Sequence, residues 1–99
     1  MLNIQKTQNE GTLSLALEGR LDTSTAPQLE AEIKSAIEGV SKLDFDLTGL
    51  AYISSAGLRV LLAAQKVMNR QGSMVIHNAN EEILEVFEVT GFNDILTIE

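Results

Sequence analysis

Cysteine is absent from this 99-residue chain. That excludes disulfide frameworks, thiolate metal sites and cysteine nucleophiles. A single histidine, His77, rules out a His-rich metal centre. Basic residues are scarce, with seven Lys and Arg against fourteen Asp and Glu and a net charge of −7. Nucleic-acid binders need a basic face to displace phosphate counterions, and electrostatic anchors on anionic bilayers need one too. Neither a nucleic-acid partner nor direct membrane insertion is therefore expected. No apolar run approaches the roughly 18 residues of a membrane span. The N-terminal stretch MLNIQKTQNEG lacks the apolar centre of a signal peptide. What is present is ordinary for a globular protein: 44% hydrophobic and 21% charged residues, in a chain too short for two cores. The expectation is one small, acidic, cytoplasmic domain spanning 1–99.

The hydrophobic period changes along the chain. Leu2 and Ile4, then Leu13, Leu15 and Leu17, alternate with polar residues around the turn residues Asn9-Glu10-Gly11, which predicts a hairpin. From Ala26 to Val40 the apolar spacing becomes three and four, the mark of a helix over about 25–39. Thr25 and Gln28 have capping-box spacing, Pro27 sits in the first turn and Gly39 is a stop signal. Leu43, Phe45 and Leu47 alternate again, with Asp44 and Asp46 on the other side. A second helix is predicted over 57–70, with a polar strip through Arg59, Ala63, Lys66 and Arg70 and a stop at Gly72. A strand over 73–77 and a third helix over 80–89 follow, the latter capped by Asn78 with Glu81 as its partner. Ile83, Leu84, Phe87 and Val86 form its apolar face, and Ile95, Leu96 and Ile98 a last strand or turn. The core should include Leu29, Ile33, Ile37, Phe45, Leu47, Leu58, Leu61, Leu62, Val75, Ile83 and Phe87. The order is β-β-α-β-α-β-α-β. This predicts an α/β domain with a mixed sheet of four to five strands and three to four helices, the strands joined by crossovers being parallel.

The segment Tyr52-Ile53-Ser54-Ser55-Ala56-Gly57-Leu58 joins a strand to a helix, which is where sites collect in open α/β sheets. Two hydroxyls precede a glycine at a helix N-terminus, whose outward amides and dipole tolerate negative charge. A phosphate on Ser54 or Ser55 suits that geometry, and one of the two serines is equally suited to capping the helix.

The same residues carry a resemblance. YISSAGLRVLLAA, with DLTGL before it, is similar to the signature of the STAS domain, shared by anti-sigma factor antagonists and the cytoplasmic tails of sulfate transporters. EGRLDTSTAPQLE resembles that family's other marker, a Gly-x-Leu-Asp loop feeding the first helix, and EVTGFNDILTI resembles its C-terminal stretch. The resemblance spans essentially the whole chain. It implies an anti-sigma factor antagonist that works as a phosphorylation-controlled partner switch, with Ser55 as phosphoryl acceptor. The partners it implies are an anti-sigma factor serine/threonine kinase of histidine-kinase-like ATPase fold and a PP2C-type phosphatase. Asp22 matches the aspartate beside the acceptor, and Ser54, Ala56, Gly57, Arg59 and Lys66 complete the expected phospho-loop and partner contact. The best-known antagonists have Asp immediately before the acceptor, where this chain has Ser54.

Solitary STAS domains also serve as small subunits of lipid-transport ATPase complexes, a role in which Ser55 would only pack or cap. A hydrolase using Ser55 as nucleophile is the weakest reading, because Ile53 stands where the nucleophile elbow needs glycine and only His77 is available as base. No catalytic residue, cofactor or metal is expected. Asp44 and Asp46 read as the polar side of a strand, and the acidic face of the third helix as solvated surface.

Overall fold

The computed structural model describes all residues from Met1 to Glu99. Two antiparallel strands, β1 (Leu2–Asn9) and β2 (Thr12–Leu21), form the opening hairpin. Helix α1 (Ala26–Ala36), strand β3 (Lys42–Ile53), helix α2 (Ser55–Gln71), strand β4 (Ser73–His77) and helix α3 (Glu81–Thr90) alternate after it. A 3-10 turn over Phe92–Asp94 leads to the short β5 (Thr97–Ile98). The sheet order is β1-β2-β3-β4-β5, with every pair after the hairpin parallel. This is the α/β mixed sheet expected from the changes of period, at the upper end of the strand count.

The three crossovers all step in the same direction across the sheet. Right-handed crossovers of that kind put every helix on one face. Burial follows. Leu13, Leu15 and Leu17 of β2 and Leu43, Phe45 and Leu47 of β3 point under the helices and are all but inaccessible. They meet Leu29 and Ile33 of α1, Leu58, Leu61 and Met68 of α2, and Ile83 and Phe87 of α3 in one core. The residues between them face away from the helices, and none of those is fully buried.

Several local expectations need correction. Val75 is only half-buried because Met74 and Ile76 take the core side of β4 and alternation turns Val75 outward. Ile37 and Leu62 are half-buried at the margins of the helical layer, and Leu84 is 38% exposed because α3 buries only the Ile83–Phe87 edge. Thr25 makes no capping bond to α1, and the Gln28 amide donates to the Leu2 carbonyl instead of reaching back. Helix α1 stops at Ala36, short of Gly39. Asn80, not Asn78, caps α3, accepting from the Ile83 amide at 2.8 Å. Asn78 lies in the left-handed region and donates to Asp46.

The correction that matters most lies in β3. The strand runs on to Ile53, and α2 starts at Ser55 rather than Gly57. Two register shifts against β2, one between Ala16 and Glu18 and one between Gly19 and Arg20, place extra residues in β3. Bulges of this kind break the period of two in sequence while the strand continues in space.

Candidate functional site

The ends of β2 and β3 lie side by side, Leu21 pairing with Ile53, and the Ser54 amide donates to the Leu21 carbonyl at 2.9 Å. The loop after β2 and the start of α2 are therefore tied at one rim of the sheet. Gly57 lets the helix come this close. A Cβ there would stand 2.7 Å from Leu21 Cγ and 3.0 Å from Ile53 Cγ1, so the glycine is needed for space.

Ser54 is the N-cap of α2. Its backbone is extended (φ −101°, ψ 176°), its side-chain oxygen accepts from the Gly57 amide at 3.4 Å, and its carbonyl accepts from the Leu58 amide at 2.9 Å. Ser55 is the first helical residue and is exposed, and its hydroxyl enters no hydrogen bond. It stands in the first turn, where backbone amides have no intrahelical acceptor and the helix dipole is positive.

Asp22 opens the neighbouring loop. One carboxylate oxygen accepts from the Ser24 hydroxyl (2.8 Å), the Ser24 amide (3.0 Å) and the Thr25 amide (3.1 Å). Thr25 braces the turn from inside. Its hydroxyl accepts from the Asp22 amide at 2.8 Å and donates to the Arg20 carbonyl at 2.9 Å. The Ser24 hydroxyl, and after it the Thr25 amide and hydroxyl, hold the Asp22 carboxyl below the usual carboxylate range, against an opposing effect of burial. Asp22 is therefore a fixed negative charge at neutral pH. Arg20 reaches its other oxygen at 3.8 Å and lies over the Tyr52 ring, 4.2 Å from the centroid. Ser24 and the Arg20–Tyr52 stack were not singled out from sequence, and Thr25 was read there only as a cap of α1. The signal for the turn was present as Asp-x-Ser-Thr, a spacing at which a carboxylate caps the amides following it. The cation–π pair became visible only with the β2–β3 register.

Ala56, Arg59 and Val60 of α2 face Thr23 of the preceding loop and Ala26, Pro27 and Glu30 of α1 across a shallow groove. Arg59, Ala63, Lys66 and Arg70 are exposed, as expected of the polar strip. They continue the face begun by Ser55 at spacings of three and four. None of the three cations has a carboxylate partner, whereas Lys6, Lys34 and Arg20 are paired with Glu32, Glu30 and Asp22. Asp44, Asp46 and His77 lie elsewhere, on the helix-free face. No cluster of His, Cys, Asp and Glu suited to a metal ion occurs, and no helix is long and apolar enough to cross a membrane.

Fold and site together define a small α/β domain with an open hydroxyl at a helix start and a cationic face beyond it. The STAS domain profile matches residues 3–99. BtrV of Bordetella bronchiseptica is 40% identical over 91 residues, covering 90% of this chain and 78% of that protein. The anti-sigma-B factor antagonist of Bacillus subtilis is 30% identical over 98 residues, covering 98% of this chain and 90% of that protein. The anti-sigma factor antagonist SpoIIAA, solved in unphosphorylated and phosphorylated forms, superposes with TM-scores of 0.78 and 0.77 at 20% and 21% identity. Each form covers 98% of this chain, which covers 87% and 91% of the two SpoIIAA chains. The chain belongs to the STAS domain family, in its anti-sigma factor antagonist branch.

Proposed function

We propose that this domain is a binding module switched by phosphorylation of Ser55, and that it performs no catalysis itself. In its free form it binds an anti-sigma factor that is also a serine kinase of histidine-kinase-like ATPase fold, and the sigma factor is released. The kinase transfers the γ-phosphoryl group of ATP to Ser55 Oγ. An O–P bond forms, ADP leaves, and the hydroxyl proton passes to a base of the kinase. A PP2C-type phosphatase reverses the state by delivering water to phosphorus. All of this takes place in the cytoplasm.

The observation that carries this reading is the division of labour between the two serines. Ser54 spends its hydroxyl on the Gly57 amide, while Ser55 presents a free, exposed hydroxyl at the helix start. Phosphate there adds about 1.5 to 2 negative charges. The first-turn amides make the phosphorylated domain tolerable to itself. A partner packed over the rim meets that charge together with the Asp22 carboxylate and must pair it or let go. SpoIIAA, with the same fold, exists in a phosphorylated form.

The test is incubation with candidate kinases and ATP, followed by intact-mass measurement. Wild type and Ser54→Ala should gain one phosphoryl group and Ser55→Ala none, while Ser55→Ala still binds the kinase. The reverse pattern would move the assignment to Ser54. A domain that no such kinase modifies, but that co-purifies with a transport ATPase, would return the reading to a transporter subunit.

A further inference from the structure

Arg59 is the first cation after Ser55 on α2, and no carboxylate engages it in the unmodified domain. It stands four residues on, one turn along the same exposed face, at the spacing at which helical side chains meet. Side chains of a helix lean toward its N-terminus, so Arg59 leans toward Ser55. No carboxylate comes within ion-pair distance of it, although Lys6, Lys34 and Arg20 are all paired. Glu30 is the one carboxylate that lines the groove between α1 and α2 with Arg59, and it reaches Lys34 instead, at 4.0 Å.

The backbone offers a phosphate on Ser55 few donors. The Ser54 amide donates to the Leu21 carbonyl, the Gly57 amide to the Ser54 hydroxyl and the Leu58 amide to the Ser54 carbonyl. That leaves the amides of Ser55 and Ala56 for a group with three acceptor oxygens and about 1.5 to 2 negative charges. The fixed charge of the adjoining loop, Asp22, has the same sign as the phosphate. Among the other cations, Arg20 is held by Asp22 and stacked on Tyr52. Lys66 and Arg70 lie about 16 Å or more along the axis from Ser55. A charged donor for this phosphate is therefore Arg59 or none.

We propose that Arg59 is the intramolecular partner of phosphorylated Ser55, an inference that rests on the assignment of Ser55 as the acceptor. A guanidinium meets two phosphate oxygens with two parallel N–H donors, a fit that lysine does not reproduce. Pairing does two things at once. It neutralises part of the charge that the helix start must carry. It also draws Arg59 toward the rim and out of the exposed strip that it shares with Lys66 and Arg70. An acidic partner then meets a new negative charge and loses the leading cation in the same event. The unmodified hydroxyl has no charge to hold Arg59, which stays free for the partner.

The probe is the full domain carrying phosphoserine at position 55, installed during translation so that no kinase is involved. Its phosphorus NMR resonance is followed against pH. A cation paired with the phosphate favours the dianion, so the titration midpoint falls. It should lie about half a pH unit lower with Arg59 in place than in Arg59→Gln, the size expected of an exposed charge pair. Arg59→Lys should recover only part of the difference. Asp22 and Glu30, the carboxylates that face this rim from the adjoining loop and from α1, are present throughout and cancel in the comparison. Lys42→Gln, which removes the same charge at the opposite end of β3, and Arg20→Gln should both leave the midpoint near its original value. With no substitution other than the phosphoserine, the Arg59 Nε–H signal should move relative to the unphosphorylated domain and exchange with water more slowly. Equal midpoints with and without Arg59 overturn the proposal. So does a displacement in Arg20→Gln as large as in Arg59→Gln, or an Arg59 signal indifferent to the phosphate. Failure here leaves the mass assay of Ser55 standing, because the phosphate is supplied without a kinase.

Discussion

Ser54 and Ser55 are the same residue type one position apart, and the structure gives them different work. Ser54→Ala removes the cap of α2 and should lower unfolding free energy by about 1 kcal/mol. Ser55→Ala, at an exposed and unbonded position, should stay within about 0.5 kcal/mol of wild type. Urea denaturation of the pair checks this, and the opposite order would mean that the helix starts one residue later. The sequence made both serines candidates but could not divide the roles, because a cap is defined by where the helix begins and the bulges of β3 hide that point. Gly57 shows the same limit. Its presence was legible, but its reason, the closeness of Leu21 and Ile53, is a contact between segments distant in the chain. Gly57→Ala should gain up to about 1 kcal/mol of helix propensity yet lose about 1–3 kcal/mol to overpacking, a net destabilisation read by the same denaturation. The carboxyls of Asp22 and Asp46 are both held below their ordinary range, each chiefly by a neighbouring hydroxyl, Ser24 and Thr48. A depressed folded-state value means stability that is present above the unfolded value of about 3.9 and is lost as pH falls through the folded one. The melting temperature should therefore fall from about pH 4 downward, and Asp46→Asn should flatten that fall; a melt indifferent to acid would show that these bonds do not persist in solution.

Among the elements, α2 carries both core and site. Leu61 is fully buried and Leu62 only half, although the sequence offered them as equals. Leu61→Ala should cost about 2–5 kcal/mol and Leu62→Ala distinctly less. Comparable losses would mean that the helix is rotated by a good part of a residue's angular step. Strands with clean alternation, β2 and the first half of β3, were legible because a sheet with helices on one face imprints a period of two. Helix ends were less so. Thr25 and Asn78 each carry a valid capping signal, but Thr25 is drawn into the Asp22 turn and Asn78 toward Asp46. Tertiary bonds of that kind outcompete a local preference without leaving a trace in the spacing. Gln65 is a further case. It stands 7% exposed where the helical pattern reads as interrupted, and it bonds Asn69 along its own helix at 2.8 Å.

For the molecule as a whole, the distribution of charge matters more than its sum. A domain of net charge −7 leaves four cations unpaired, Lys42, Arg59, Lys66 and Arg70, and three of them share the exposed face of α2 that starts at Ser55. Lys66 lies about 16 Å along the axis from Ser55, so a partner contacting both spans three turns of helix. Under the proposed switch, a phosphate on Ser55 at one end of that face and the cations along it would form a graded surface, drawing an acidic partner along α2 and repelling it at the rim once Ser55 is modified. Salt should then slow association, because steering acts through the field over longer distances than contact does. The double change Arg59→Glu with Lys66→Glu tests this. Both side chains are exposed and without ion pairs, so the melt should move little, whereas association with the unphosphorylated-state partner should slow by about tenfold or more at low salt and converge toward wild type at high salt. Unchanged kinetics with an unchanged melt would reduce the strip to solvated surface. A collapsed melt would show the two side chains to be packed, and the helix face assigned to the partner would have to be redrawn.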